Sequence, residues 1–285
     1  MSRIDATYQV CALLGFPARH SMGPAIHNAA FEALGLPLVY VAHDVAPADL
    51  AAAIAGARAL AYRGLSITMP HKVAALELVD EVDAMARAIG CINTVVNREG
   101  RLLGCNSDGQ GALDALGRAG IVTQGRRVLV LGSGGAARAV AMTVAMRGQP
   151  AGLEILGVVE DELSRLGHDV GEKAGATVST RMLDDEALAA AVARADVLLH
   201  CTPVGMTPDT ARSLVPCKLL RPDLAVFDAV YNPRRTLLIE QAAKRGCRVV
   251  EGMEMFLGQA MVQFELWTGQ PAPAEVMRKV IETRL

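Results

Sequence analysis

The stretch Leu129-Val130-Leu131-Gly132-Ser133-Gly134-Gly135-Ala136-Ala137-Arg138 decides the fold of this chain. An apolar run passes through glycines into a helix-forming segment, which predicts a strand, a tight turn and the start of a helix. Gly132 permits the turn, Gly134 allows a ligand to approach the backbone, and Ala137 is small enough for the helix to pack on the strand. Backbone N–H groups and the helix dipole then converge where a pyrophosphate could bind. The stretch predicts a dinucleotide site, although glycine- and alanine-rich helix starts also occur without one.

The composition indicates a globular protein and argues against a membrane or secreted one. The chain has 285 residues, of which 52% are hydrophobic and 20% charged, so it is long and apolar enough for about two domains with buried cores. Its apolar stretches are interrupted well before the roughly 18 residues of a membrane span, and its N-terminus lacks the apolar core of a signal peptide. We therefore expect a cytoplasmic protein without a membrane partner.

Charge, cysteines and histidines exclude several further classes. The net charge of −2 and the lack of a basic block argue against a nucleic-acid partner. The six cysteines form no CxxC pair, which is typical of buried free thiols, and the six histidines show no zinc-ligand spacing, so no metal site is expected. There is neither a GxxxxGK[ST] phosphate loop nor a GxSxG nucleophile elbow. We expect a small-molecule partner and a chain that is a monomer or a homodimer.

Apolar segments with strand and helix patterns alternate along the chain, which predicts an α/β fold with parallel sheets covered by helices. Residues 1–106 are predicted to form a three-layer α/β substrate-binding domain. Residues 107–250 are predicted to form a Rossmann-type dinucleotide-binding domain around the glycine turn. Residues 251–285 are predicted to form helices that pack back on the first domain. With no long linker between them, the two domains are expected to meet across a cleft.

Polar residues follow the predicted strands of the first domain, where open α/β sheets hold their ligands. Ser21 lies between the first strand and a helix, Thr68 and Lys72 follow the third strand, and Asn93 and Asp108 lie at the ends of a predicted β-ribbon. Each has a structural alternative. Ser21 and Asp108 also suit helix caps, and a single lysine is usually a solvated surface residue.

Eight motifs in a fixed order extend over most of the chain. They occur at Gly15–Pro24 (GxPxxHSxxP), Thr68–Lys72, Asn93-Thr94, Gly104–Gly111, Gly132–Arg138, Thr202–Met206, Asp228–Thr236 and Gly252–Gln259. In this order they closely resemble the shikimate dehydrogenase family, which includes members that use quinate. Eight motifs in register are far more specific than the glycine turn alone.

The resemblance implies an activity and assigns roles to residues. Members of the family oxidise a ring hydroxyl of shikimate, or reduce 3-dehydroshikimate, with a nicotinamide dinucleotide. By resemblance, Lys72 and Asp108 form the catalytic pair, with Lys72 accepting the hydroxyl proton as the hydride leaves. The implied substrate-binding residues are Ser21, Gly23, Thr68, Asn93, Tyr231 and Gln259. The implied cofactor-binding residues are Gly132, Ser133, Gly134, Gly135, Ala136, Val158, Glu160, Asp161, Thr202, Pro203, Val204, Met206 and Gly252.

The first substrate loop departs from the family pattern. The family usually has SxSP, whereas this chain has Ser21-Met22-Gly23-Pro24 and so lacks one hydroxyl for the substrate carboxylate. A lost hydrogen bond costs about 0.5–1.5 kcal/mol, or about 3 kcal/mol with a charged acceptor, so we expect weaker binding of shikimate. The space left at Gly23 is expected to admit a bulkier substituent, such as the additional hydroxyl of quinate. Quinate and a modified shikimate analogue are therefore alternative substrates.

The second departure concerns the cofactor. Many members of the family end the second strand of the nucleotide domain with Asn-Arg-Thr/Ser, whose arginine neutralises the 2′-phosphate of NADP. Here the stretch is Gly157-Val158-Val159-Glu160-Asp161, which has carboxylates and no cation. Carboxylates favour a free ribose 2′-OH and repel a phosphate, so we expect NAD to be preferred to NADP, with Glu160 as the first candidate ligand and Asp161 as the second. Both acids would also suit the first turn of a surface helix.

A different class of function remains open. Relatives of enzymes can keep a fold and lose turnover, so the chain could be a sensor that binds a dinucleotide and a cyclic acid. The presence of both Lys72 and Asp108 favours the enzyme.

Overall fold

The computed structural model describes residues 4–284, which form two six-stranded sheets covered by helices. The strands are β1 Gln9–Gly15, β2 Leu38–Asp44, β3 Gly64–Ile67, β4 Glu81–Val82, β5 Thr94–Arg98, β6 Arg101–Cys105, β7 Arg127–Leu131, β8 Gly152–Gly157, β9 Val178–Met182, β10 Val197–His200, β11 Ala225–Asp228 and β12 Arg248–Val250. The α-helices are α1 Gly23–Ala33, α2 Leu50–Ala59, α3 Ala84–Ile89, α4 Asp108–Arg118, α5 Gly135–Arg147, α6 Glu160–Ala174, α7 Asp185–Arg194, α8 Leu237–Lys244, α9 Gly252–Thr268 and α10 Ala274–Glu282. Within residues 4–284, no helix is long and apolar enough to cross a membrane.

The chain divides into two compact units. Unit 1 comprises residues 4–107 and 259–284, and its sheet has the order β2-β1-β3-β5-β6-β4. Strand β1 pairs in parallel with β2 and β3, whereas β5 is antiparallel to β3 and β6. Strand β3 is buried along its whole length, as expected for a strand covered on both faces. Since Leu14 pairs with Ile67, the loops that follow β1 and β3 leave the sheet side by side.

Unit 2 comprises residues 108–258, and its six strands are all parallel. The sheet order is β9-β8-β7-β10-β11-β12, which is the 3-2-1-4-5-6 order of a doubly wound dinucleotide-binding sheet with β7 as its first strand. Residues Val128–Leu131 of β7 are buried at the centre. In this arrangement the chain order reverses between β7 and β10, and ligands bind at the carboxyl ends of the strands beside that point.

The predicted α/β fold class is confirmed. Segments 127–131, 197–200 and 225–228, which the apolar pattern predicts as strands, are β7, β10 and β11. The pattern did not indicate the short helix α8 or the short strand β12. The compact units change at 107/108 and 258/259, close to the predicted 106/107 but eight residues beyond the predicted 250/251. The first turns of α9 stay with unit 2 because Gly258 packs tightly on α4, where an added Cβ would lie 2.8 Å from the backbone oxygen of Gly111.

The later part of α9 and helix α10 pack on unit 1. Helix α10 contacts α1, and the Trp267 indole N–H donates to the backbone oxygen of Val95 at 3.0 Å. The Trp267 ring lies 5.1 Å from the ring of His27, which stacks on Tyr40 with centroids 4.7 Å apart. His27 is 1% exposed, and its burial lowers its pKa from 6.5 to about 3, with a hydrogen bond to Gln263 opposing the shift. The imidazole is therefore neutral in the folded protein.

The buried imidazole of His27 predicts a loss of stability in mild acid. The unfolded chain binds a proton near pH 6.5 and the folded chain does so only near pH 3. The free energy of unfolding should therefore fall as the pH drops below about 6.5, by about 2 kcal/mol between pH 7 and pH 5 from this group alone. Denaturant unfolding at several pH values, followed by the fluorescence of Trp267, measures this.

His27→Gln should remove that share of the pH dependence, whatever it does to stability at pH 7. His168→Gln, which replaces an exposed histidine of α6, is the control and should keep the full dependence. An unchanged slope in His27→Gln would contradict the account.

Candidate active site

The loops that follow β1 and β3 lie against each other at the carboxyl ends of these strands. Thr68 follows β3 directly, and its N–H donates to the backbone oxygen of Leu14 at 3.0 Å. An added Cβ at Gly15 would lie 2.4 Å from the Thr68 side chain, so only glycine allows the first loop to pass this close. The predicted substrate residue Thr68 is thus held against the loop that carries Ser21.

Lys72 lies in the turn after β3, and its neighbour His71 anchors that turn. The buried His71 ring places Nε2 2.8 Å from the backbone oxygen of Val45. The backbone oxygen of Lys72 accepts from the N–H of Ile92 at 2.9 Å, and Lys72 is half-buried. This hydrogen bond holds the main chain of Lys72 beside Ile92, the residue that precedes Asn93.

Asn93 and Ser107 form a buried hydrogen-bonded pair. The Asn93 Nδ2 donates to Ser107 Oγ at 3.0 Å, and the Ser107 N–H donates to Asn93 Oδ1 at 2.9 Å. Asp108 follows Ser107 and is the first residue of α4, so it lies inside the helix and not at the N-cap position before it. The hydrogen bonds between Asn93 and Ser107 hold the main chain in place directly before Asp108.

The loop before α1 places Ser21, Gly23 and Tyr40 together. Ser21 Oγ accepts from the N–H of Gly23 at 3.1 Å, but the N-cap of α1 is Met22, so the helix-cap alternative for Ser21 is wrong. An added Cβ at Gly23 would lie 3.2 Å from both Ser21 Oγ and the Tyr40 hydroxyl. Ser21 and Tyr40 thus both lie close to Gly23, and room there for a bulkier substituent stays a prediction.

Tyr40 begins a chain of buried hydrogen bonds that the sequence did not predict. Its hydroxyl donates to Ser66 Oγ at 2.8 Å, and Ser66 donates to Gln263 Oε1 at 3.1 Å. Gln263 Nε2 donates to Thr94 Oγ1 at 3.0 Å and to the backbone oxygen of Asn93 at 3.2 Å. Burial raises the pKa of Tyr40, which keeps the phenol protonated. We name Tyr40, Ser66, Gln263, Thr94 and Asn93 the unit 1 polar chain.

Two further predicted substrate residues lie outside this chain of hydrogen bonds. Gln259 is half-buried, one helical turn before Gln263 on α9. The two glutamines are four residues apart and therefore lie on the same helix face. This spacing is the sequence feature that could have indicated a role for Gln263. Tyr231, in unit 2, is 41% exposed and stacks on Phe256 with ring centroids 5.0 Å apart.

The glycine turn of unit 2 has the predicted form. Gly132 has φ +115°, and an added Cβ would lie 2.9 Å from the backbone oxygen of Cys201, so this position requires glycine. Gly134, Gly135 and Ala136 are exposed where α5 begins, and an added Cβ at either glycine would meet open space. Ala137 is completely buried against the sheet. The first N–H groups of α5 receive no side-chain cap, so they are available to an anion.

Acidic residues surround the start of α6, beside the glycine turn. Val158 is exposed after β8, and Glu160 and Asp161 are exposed in the first turn of α6. The acid that reaches the glycine turn is Glu162, whose Oε2 accepts from Ser133 Oγ at 3.3 Å. Glu162 is not among the predicted cofactor residues. Its position in the first turn of α6, three residues after the N-cap Val159, is the sequence feature that could have indicated it.

The remaining predicted cofactor residues lie on the other side of the glycine turn. An added Cβ at Gly132 would lie 3.2 Å from the Thr202 methyl group, so the loop Thr202–Met206 begins against the turn. Pro203 and Met206 are exposed and Val204 is half-buried. An added Cβ at Gly252 would lie 2.4 Å from the backbone oxygen of Val230. Thr202 therefore lies against Gly132, whereas Gly252 packs on Val230 in the segment after β11.

The cysteines and the other possible metal ligands form no further site. All six cysteines are free thiols, and burial raises the pKa of Cys11 and of Cys105 to about 12. Among residues 4–284, no group of three or more His, Cys, Asp or Glu residues is arranged to hold a metal ion.

Comparison with known proteins identifies the family. A family model described as the shikimate dehydrogenase substrate binding domain matches residues 13–95, and one described as the shikimate 5'-dehydrogenase C-terminal domain matches residues 252–282. A protein of Moorella thermoacetica named shikimate dehydrogenase (NADP(+)) is 43% identical over 99% of this chain and 95% of its own length.

Solved structures agree with this over the whole chain. The shikimate 5-dehydrogenase of Listeria monocytogenes, in complex with shikimate and NAD, has a TM-score of 0.94 and 32% identity and covers 99% of both chains. The quinate dehydrogenase of Corynebacterium glutamicum, in complex with NAD, has a TM-score of 0.89 and 29% identity over 97% of this chain and 99% of that one. The chain therefore belongs to the shikimate dehydrogenase family of NAD(P)-dependent oxidoreductases.

Proposed function

We propose that this protein interconverts shikimate and 3-dehydroshikimate by hydride transfer with a nicotinamide dinucleotide, with NAD preferred. The observation that carries the proposal is the set of hydroxyl and amide groups at the strand ends of unit 1. There the unit 1 polar chain bonds to Ser107 through Asn93, and Tyr40 and Ser21 both lie close to Gly23. Thr68 and Lys72 follow β3, the strand that carries Ser66. A small cyclic acid with several hydroxyls is the kind of ligand that such a set of donors and acceptors recognises. The relative from Moorella and the structure from Listeria support the choice of shikimate.

The reaction requires that a proton and a hydride leave the substrate together. When bound, the nicotinamide ring supplies the hydride acceptor for the oxidation and the hydride donor for the reduction. In the oxidation, the Lys72 amine accepts the hydroxyl proton while the carbon becomes a carbonyl, and in the reduction the ammonium returns it. Asp108 is proposed to act with Lys72 by favouring its charged form.

Replacing Lys72 should remove the proton acceptor. For Lys72→Ala we expect kcat for shikimate oxidation to fall by about 10²- to 10⁴-fold, the usual contribution of a positioned general base. Initial rates measured from the absorbance of the reduced nicotinamide provide the readout. Lys244→Ala, which removes an exposed lysine of α8, should keep the wild-type rate. Retention of most of the turnover in Lys72→Ala would rule out its acid–base role.

Recognition of the substrate carboxylate is proposed to use Ser21 and Tyr40. Ser21 Oγ accepts from the backbone at Gly23, so its own proton is available to a carboxylate. The Tyr40 hydroxyl lies 3.2 Å from where a Cβ at Gly23 would be, and we propose that it turns from Ser66 to the carboxylate. Tyr40 thus compensates for the missing hydroxyl of the loop.

Tyr40→Phe should raise the KM for shikimate about 10- to 100-fold, because a hydrogen bond to a charged acceptor contributes about 1.5–3 kcal/mol. The value of kcat should change much less, since the lost contact is remote from the reacting hydroxyl. Tyr62→Phe is the control, because Tyr62 packs on the unit 1 core outside the polar chain. An unchanged KM in Tyr40→Phe would show that Gly23 is not compensated by the phenol.

Quinate is the second candidate substrate, and the structural similarity to the quinate dehydrogenase of Corynebacterium favours keeping it. Tyr40 leaves little room beside Gly23, so we expect shikimate to be the better substrate. Initial rates for shikimate and quinate, each with NAD and with NADP, test the proposed function as a whole. A kcat/KM for quinate of at least that for shikimate would reverse the assignment, and no turnover of either would point to a sensor.

The preference for NAD rests on charge at the start of α6. Glu160, Asp161 and Glu162 lie in its first turn, and Glu162 hydrogen bonds to Ser133 of the glycine turn. A 2′-phosphate placed beside them would meet three carboxylates, whereas a ribose hydroxyl can donate to one. The Moorella relative is named for NADP(+) and the Listeria structure holds NAD, so the cofactor must be decided on this chain's own residues.

Glu160→Arg combined with Glu162→Gln should raise the ratio of kcat/KM for NADP to that for NAD by about 10- to 100-fold, through the loss of repulsion and the gain of a cation. Glu172→Gln, an exposed change in the last turn of α6, serves as the control and should leave the ratio unchanged. If wild type already prefers NADP, or if the double variant keeps the wild-type ratio, the acids do not select the cofactor.

A further inference from the structure

A buried histidine and a buried aspartate lie side by side at the carboxyl ends of the central strands of unit 2. His200 ends β10 and Asp228 ends β11, and the two are register partners that are each 0% exposed. His200 Nδ1 lies 2.8 Å from Asp228 Oδ1, and His200 Nε2 lies 2.6 Å from Thr202 Oγ1. His200 lies outside the eight family motifs and has no predicted role.

The hydrogen bonds around Asp228 determine the direction of this chain of contacts. Asp228 Oδ1 also accepts from the N–H of Val230 at 3.0 Å, and Oδ2 accepts from Thr236 Oγ1 at 2.5 Å. Since both Asp228 oxygens accept hydrogen bonds, His200 Nδ1 is the donor in its contact with Asp228. In the neutral imidazole, Nε2 is then an acceptor, and the Thr202 hydroxyl must donate to it.

Thr202 transmits this arrangement to the ligand-binding loops of unit 2. Its Oγ1 also accepts from the N–H of Val204 at 3.3 Å, which fixes the turn at Pro203. The Thr202 methyl group lies where it would meet a Cβ at Gly132, and Thr236 caps α8 by accepting from Ile239. One buried pair therefore supports the glycine turn, the Thr202–Met206 loop and the start of α8.

The position of the pair in the sheet indicates which half of a dinucleotide it affects. Strands β7, β8 and β9 form one half of the doubly wound sheet, and the acids after β8 assign the adenosine ribose to that half. Strands β10 and β11 belong to the other half, beyond the point where the strand order reverses. By this division the nicotinamide half of the cofactor faces the loops after β10 and β11.

We propose that His200 and Asp228 form a positioning pair that orients the Thr202 hydroxyl and thereby shapes the subsite for the nicotinamide half of the dinucleotide. The inference rests on the proposed function, since it requires a nicotinamide dinucleotide in unit 2. His200 contacts neither substrate nor cofactor in this account and acts through Thr202. Its loss should therefore weaken the binding of the intact cofactor and leave the binding of an adenosine fragment unchanged.

Two replacements of His200 separate its two hydrogen bonds. The amide of His200→Asn lies near the position of Nδ1, so this variant keeps the bond to Asp228 and loses the bond to Thr202. The longer His200→Gln brings an amide oxygen toward the position of Nε2 and restores the acceptor for Thr202. Thr202→Val removes the hydroxyl at nearly constant shape and provides a second test should the histidine variants fail to fold.

Binding of NADH, of NADPH and of AMP, the adenosine fragment, to each purified full-length variant, measured by titration calorimetry, tests the proposal. For His200→Asn and Thr202→Val we expect the Kd for NADH to rise about 10-fold, the effect of one hydrogen bond, while the Kd for AMP stays within about twofold of wild type. His200→Gln should recover most of the NADH affinity. His168→Gln, an exposed change on α6, should match wild type for all three ligands.

The other outcomes overturn the proposal in distinguishable ways. Equal weakening of NADH and AMP binding would mean that the pair stabilises unit 2 as a whole. Unchanged NADH binding in both His200→Asn and Thr202→Val would mean that the pair does not act on the cofactor. If wild type bound neither NADH nor NADPH, the proposed function itself would fail, and the inference with it.

Discussion

The hydrogen bonds of one buried glutamine are the constraint on which unit 1 depends. Gln263 reaches Ser66 on β3, Thr94 on β5 and the backbone at Asn93, and all four residues are buried. A buried amide without partners costs free energy that the fold cannot recover elsewhere, so these groups must stay in place together. Because Tyr40 and Ser107 bond to the two ends of this set, the same requirement that stabilises the core also orients the proposed substrate site.

In unit 2 the corresponding constraint is the buried carboxylate of Asp228. The parallel sheet of this unit buries apolar residues on both faces, yet Asp228 remains as a carboxylate at the centre of the strand ends. Donors from the backbone at Val230, from Thr236 and from His200 make this tolerable. Val230 and Thr236 lie in the segment between β11 and α8, and His200 ends β10. The cost of burying one charge therefore ties that segment to a strand end 28 residues before Asp228. Such preorganisation is what a ligand site on loops needs.

Local patterns predicted the parts of the structure that local sequence determines. The glycine turn, strand β7 and the acids Glu160 and Asp161 after β8 depend on residues within about ten positions of one another, and each was recognised, although Glu162 beside them was not. Tyr40, Ser66 and Gln263 were missed because their roles come from contacts across 26 and 197 residues of chain. The spacing of four residues from Gln259 places Gln263 on the same helix face, but it does not indicate which strands that face contacts. Only the folded chain shows that its helix face meets β3 and β5.

A departure from a family motif has its meaning only together with the side chains that surround it. Gly23 alone indicated a lost hydroxyl and an open space, but the phenol of Tyr40 lies within 3.2 Å of where a side chain would start. At the end of β10, the two ring nitrogens of His200 join Asp228 to Thr202. In both places the proposed function depends on a neighbour in space that lies on another strand or loop. We therefore attribute the proposed substrate and cofactor preferences to contacting pairs, since a change in either member alters the hydrogen bonds of the other.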